Sequence, residues 1–119
     1  MRDHRKLRAF ELADTLALSI YSATKTFPKD EQFGLTSQIR RAAISIASNI
    51  VEGCARTSQP DYIRFLDMAF GSAREVEYQI SVAARLEYLP SDVASELSRQ
   101  ADETARVLAG LLRSLRSES

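Results

Sequence analysis

The stretch Leu35-Thr36-Ser37-Gln38-Ile39-Arg40-Arg41-Ala42-Ala43-Ile44-Ser45-Ile46-Ala47-Ser48-Asn49-Ile50-Val51-Glu52-Gly53-Cys54-Ala55 decides the fold. Leu35, Ile39, Ala43, Ile46 and Ile50 recur at spacings of three and four, which places them on one face of a helix. Ala42, Ile44, Ala47 and Val51 widen that face beyond half the circumference. A helix in a small bundle needs one apolar stripe, so the surplus predicts contact with another subunit as well as with its own core.

Working outward, the same periodicity continues on both sides, with no alternating run that would make a strand. Upstream, Phe10, Ala13, Ala17, Ile20, Thr24 and Phe27 form a stripe broadened by Leu12, Leu16 and Ala23, predicting a helix over 7–27. Phe27-Pro28 stops it, because a residue before proline is pushed out of the helical region, and 29–34 reads as a connector with a short turn. Downstream, Ser58 is a capping residue, Pro60 suits a first helical turn and Asp61 suits the positive end of the dipole. The third helix, 59–87, carries Tyr62, Leu66, Ala69, Ala73, Val76, Ile80 and Ala83 and is expected to be the longest. Pro90-Ser91-Asp92 opens a fourth over 91–115 with Ser91 as its cap, and the tail after Leu115 is expected to fray. Four helices with short connectors give an all-α, antiparallel up-down-up-down four-helix bundle over 1–119.

Bulk numbers fit one domain. The 119 residues hold 45% hydrophobic side chains, with 16 Lys plus Arg against 16 Asp plus Glu. That is ordinary globular composition, on a chain small enough that self-association would usefully extend its core. Residues 1–56 carry a net +3 and residues 57–119 a net −3, so any nucleic-acid contact would rest on a local patch and not on overall charge. No apolar run approaches the roughly 20 residues that cross a bilayer, and the start leads into an amphipathic stretch, not a signal core. A cytoplasmic protein with no membrane partner is expected.

Catalytic chemistry finds little support. His4 is the only histidine and lies in an arm expected to be mobile, and the single cysteine, Cys54, reads as a buried apolar filler. The Glu-x-x-His step of bundle metal sites and the glycine-rich phosphate loops are both absent. Glu52 and Glu75 could in principle serve a magnesium-dependent enzyme, but pairing with arginine is the commoner role for such carboxylates. No cofactor, metal or enzymatic activity is expected.

Basic residues form the main candidate contact set: Arg2, Arg5, Lys6 and Arg8 near the N-terminus, with Arg40, Arg41 and Arg56 on or beside the second helix. Arg40 and Arg41 point about 100° apart on a helix and cannot serve one surface equally. A polar network of Arg41, Asn49, Glu52, Glu75 and Glu77, with Ser45 and Ser48, would fix the register of the second and third helices. Gly71 inside a long helix costs up to about 1 kcal/mol relative to alanine, so it asks for a reason. Close helix approach is the expected one, with Ala69, Gly71, Ser72 and Ala73 meeting Ala42, Ala43 and Ala47.

The block Gln38 to Gly53, together with Phe27-Pro28, Glu31, Phe33-Gly34-Leu35, Gly71-Ser72, Glu75 and Glu77, resembles a small bundle family. It is named after proteins encoded in intervening sequences of bacterial 23S ribosomal RNA genes. The resemblance spans nearly the whole chain and implies a cytoplasmic, non-enzymatic homopentamer. That family in turn resembles the accessory variability protein of diversity-generating retroelements, a pentameric barrel that binds a reverse transcriptase and nucleic acid. Two partner classes follow: RNA or DNA, or a nucleic-acid-handling protein, bound by an oligomeric scaffold or adaptor. The alternative is a regulatory helical module that pairs with a different protein through the apolar second helix.

Overall fold

The structure, a computed structural model, describes residues 2–118. Four helices carry it: α1 (Arg8–Ala23), α2 (Leu35–Cys54), α3 (Gln59–Arg85) and α4 (Ser91–Ser117), with no strand among the described residues. Short 3-10 turns precede α1 (His4–Lys6) and lie between α1 and α2 (Thr24–Thr26 and Lys29–Glu31). Each helix packs on its sequence neighbours, and α1 closes the bundle on α4, in a rod of 46 × 23 × 19 Å.

The helices alternate in direction, as successive contacts show. Arg41 meets Glu75 and Ser45 meets Ser72 across α2 and α3, so α3 descends as α2 rises. The core is aliphatic and small-residue: Leu16, Ile20, Ile39, Ile46, Ile50, Leu66, Val76, Ile80 and Leu108 are fully buried among Ala13, Ala43, Ala69, Ala73 and Ala101. All five residues of the stripe that defined α2 from sequence pack in this core, four of them buried and Leu35 partly so.

Helix ends follow local chemistry. Ser58 caps α3 as expected, its hydroxyl accepting from the Asp61 N–H at 3.2 Å. The second helix has no side chain at its own cap position, Gly34; Glu31 reaches in instead, and its Oε1 accepts from the Leu35 N–H at 3.0 Å. A Cβ on Gly34 would lie 2.6 Å from that oxygen, so the glycine leaves room for the cap. The other Glu31 oxygen accepts from the Tyr88 hydroxyl at 2.8 Å, tying the α1–α2 connector to the α3–α4 connector. Phe27, buried, packs its ring 5.4 Å from that of Tyr88.

Four boundary expectations need correction. The first helix stops at Ala23, where Thr24 turns its hydroxyl back onto the Ile20 carbonyl at 2.8 Å and the chain tightens into a 3-10 turn before Phe27. Ser91 is the first helical residue of α4 and makes no side-chain cap; Pro90 occupies the cap position. The fourth helix runs on to Ser117, which makes it as long as α3, while Ser119 lies outside the described residues. The N-terminal arm is docked: the Arg2 N–H donates to the Cys54 carbonyl at 2.9 Å, and His4 sets its ring edge-on to Phe10 at 4.7 Å.

Candidate functional site

The seam between α2 and α3 carries part of the polar set singled out in sequence, Arg41, Ser45, Asn49 and Glu75, while Ser48 is exposed. Ser45 Oγ accepts from Ser72 Oγ at 3.1 Å across the seam and from Asn49 Nδ2 at 3.0 Å along its own helix. Asn49 Nδ2 also donates to the Ser45 carbonyl at 2.9 Å, so an amide within an apolar helix is satisfied locally. Arg41 reaches Glu75 at 3.8 Å and donates to Gln38 Oε1 at 2.8 Å. Glu75 in turn accepts from Gln79 Nε2 at 3.2 Å.

Glu52 and Glu77 do not join that network. Glu52 pairs with Arg56 at 3.7 Å one turn along, and Glu77 with Arg74 at 3.4 Å on α3. Glu52 sits eleven residues from Arg41, roughly 16 Å along the helix, while Glu75 is level with Arg41, so the two carboxylates cannot share a cation. Among the described residues no group of three or more His, Cys, Asp and Glu could hold a metal ion.

Close packing at the seam falls on a different glycine. A Cβ on Gly53 would meet the Phe65 Cβ at 2.9 Å, so Gly53 lets the end of α2 lie against the start of α3. Gly71 has nothing within 4 Å of such an atom and faces outward. Its expected role in helix approach within the chain is therefore overturned: Ala43, Ala69 and Ala73 fill the inner seam, with Ala47 and Ser72 partly buried beside it. Gly71 instead belongs to an outer surface with Met68 and Tyr78, which are 41% and 65% exposed. Ile44 and Val51 on the neighbouring α2 are 44% and 37% exposed.

The basic candidates divide between the two ends of the rod. Arg40 Nε donates to Thr24 Oγ1 at 2.8 Å and its guanidinium lies 4.7 Å from the Tyr21 ring centre, a strut between α1 and α2. Arg56 is sixteen residues on, roughly 24 Å away at helical rise. At that far end stands Arg2, from which the arm runs back through Arg5 and Lys6 to Arg8 at the start of α1. Arg5 is paired with Asp3 at 3.0 Å, and Arg8 with Glu103 at 2.9 Å. Arg2 lies 3.9 Å over the Tyr62 ring and donates to Gln59 Oε1 at 2.8 Å. Sequence reasoning passed over Arg64, whose guanidinium shares the Phe65 ring with that of Arg56 at 4.6 and 4.7 Å. Its signal was available only as a basic residue one turn into the next helix.

The remaining reactive groups are quenched. Burial pushes the Tyr62 hydroxyl up to about 12 and raises the Cys54 thiol from its usual value. Burial thus disfavours the Cys54 thiolate, the form that acts as a nucleophile. A groove of about 450 Å³ between α1 and α4 is lined by Ser19, Ser22, Val93 and Leu97 together with the carboxylates of Asp92 and Glu96. No helix among the described residues is long and apolar enough to cross a membrane.

The fold defines a four-helix-bundle protein in which polar side chains bridge α2 and α3. Residues 5–110 match the family model of the 23S rRNA-intervening sequence protein, and the chain belongs to that family. It is similar in fold to the crystal structure of a protein of unknown function from the S23 ribosomal protein family of Bacteroides thetaiotaomicron. That likeness has a TM-score of 0.81 at 24% identity, covering 88% of this chain and 95% of the other. None of the curated proteins matches the sequence.

Proposed function

We propose that the protein is a non-enzymatic, homo-oligomeric scaffold or adaptor of the bacterial cytoplasm, a ring of five, that engages RNA or DNA or a nucleic-acid-handling protein. The observation that carries the oligomeric reading is the outer surface of α2 and α3: Ile44, Val51, Met68 and Tyr78 stay exposed around a mid-helix Gly71 that no contact within the chain requires. A glycine there lets a second helix backbone come close, and the surrounding apolar side chains gain by leaving water. The number five rests on the family resemblance. The absence of an enzymatic role is supported by the dispersal of Glu52, Glu75 and His4 and by the buried Cys54. Absolute mass in solution tests the assembly, on the natural chain and on Ile44→Glu and Tyr78→Glu. Co-purification of one stoichiometric foreign protein with a monomeric chain would favour a regulatory module instead.

A further inference from the structure

The end of the rod where the arm crosses the α2–α3 turn gathers three guanidiniums on two neighbouring rings. Arg2 covers Tyr62 and also donates to the Arg56 carbonyl at 3.4 Å, while Arg56 and Arg64 both lie against Phe65. Stacking holds each planar group in place, so less rotamer freedom is lost when its N–H edge meets an anion. The nearest carboxylates to Arg56 and Arg64 are Glu52 at 3.7 Å and Asp61 at 3.6 Å, too long for strong charge-assisted hydrogen bonds. Both arginines remain 45% and 59% exposed, which leaves them open to a competing anion. Residues 2–8 and 52–64 together carry six Lys or Arg against three carboxylates, a local excess in a chain whose net charge is zero.

The rings themselves are covered: Tyr62 and Phe65 are buried. They offer no free face on which a base could stack, so this end suits the charged backbone of a polynucleotide and not its bases. We propose that Arg2, Arg56 and Arg64 bind nucleic-acid phosphates without reading base identity, an inference that rests on the nucleic-acid partner class named above. Arg40 and Arg41, roughly 24 Å away along the helix, take no part.

The test is fluorescence anisotropy of labelled oligouridine against salt, with absolute mass and far-ultraviolet circular dichroism recorded for every variant. Three phosphate contacts on a single strand give a log–log salt slope of about −2 per engaged protomer. The double variant Arg56→Gln, Arg64→Gln keeps its helicity, loses two-thirds of the slope and binds at least about tenfold more weakly at low salt. Arg106→Gln, an exposed α4 arginine paired with Asp102, binds as the natural chain does. An equal loss in Arg106→Gln, equally strong displacement by polyglutamate, or no binding by the natural chain at low salt overturns the proposal. Assembly without RNA binding would sink this inference and leave the scaffold standing; RNA binding by a single protomer would do the reverse.

Discussion

At the scale of single residues, two glycines on neighbouring helices answer opposite demands. Gly53 faces the Phe65 Cβ, an atom fixed to the α3 backbone, so Gly53→Ala forces the helices apart. We expect it to lower unfolding free energy by about 1–3 kcal/mol in urea titrations. Gly71 meets nothing within the chain, and Gly71→Ala should raise the stability of the dilute protomer by up to about 1 kcal/mol through the unfolded-state and helix-propensity terms. Glu31 supplies a pH-dependent contribution. The Leu35 N–H first, and then the Tyr88 hydroxyl, hold its carboxyl below the ordinary value of 4.5. With the folded value below the unfolded one, its contribution is present above the unfolded value and lost as pH falls through the folded one. Glu31→Gln should therefore melt below the natural chain at pH 7, and the gap should close on acidification below 4.5.

At the scale of elements, periodicity revealed the helices but not always the residues that end them. Spacings of three and four identified α2 and its buried face because packing demands little beyond apolar side chains at those positions. The end of α1 escaped because Thr24 bonds back to Ile20, a choice between a hydroxyl and the backbone that sequence patterning does not register. The Ser91 cap failed for a similar reason: proline and serine are both compatible with a helix start, and the structure uses Pro90 for the flanking position. In the site, Arg41, Ser45, Asn49 and Glu75 were legible as polar interruptions of apolar helices, whereas Ser72 read only as a small residue for close packing and its bond to Ser45 emerged from the structure. Glu52 was assigned wrongly because its level on α3 depends on a register that one helix alone does not reveal. The outer face of α2 was visible as excess apolar surface, while its continuation on α3 through Met68 and Tyr78 emerged only from the structure, and together they set an element-scale expectation. Ile44→Glu and Tyr78→Glu replace exposed apolar groups, so helicity and urea midpoint should hold while the assembled mass falls toward one protomer. Loss of helicity at the same substitutions would instead assign these residues to the core.

At the scale of the whole molecule, the antiparallel bundle explains why basic residues close in sequence do not make one patch. Alternating helices send Arg40 and Arg41 toward one end of the rod, and return the arm, Arg56 and Arg64 to the other. A neutral chain thus presents a local cationic end beside an apolar flank, a division suited to assembly on one surface and partner contact on another. Repetition of a weak site around a ring would strengthen binding through effective concentration, without any new contact. In the proposed ring, the flank is the interface between copies. Light scattering on a size-exclusion column, with absorbance at two wavelengths to detect nucleic acid, tests it most directly. A ring of five gives a mass near five times the 13.3 kDa chain; a single-protomer mass at micromolar concentration would show that the flank joins no copies.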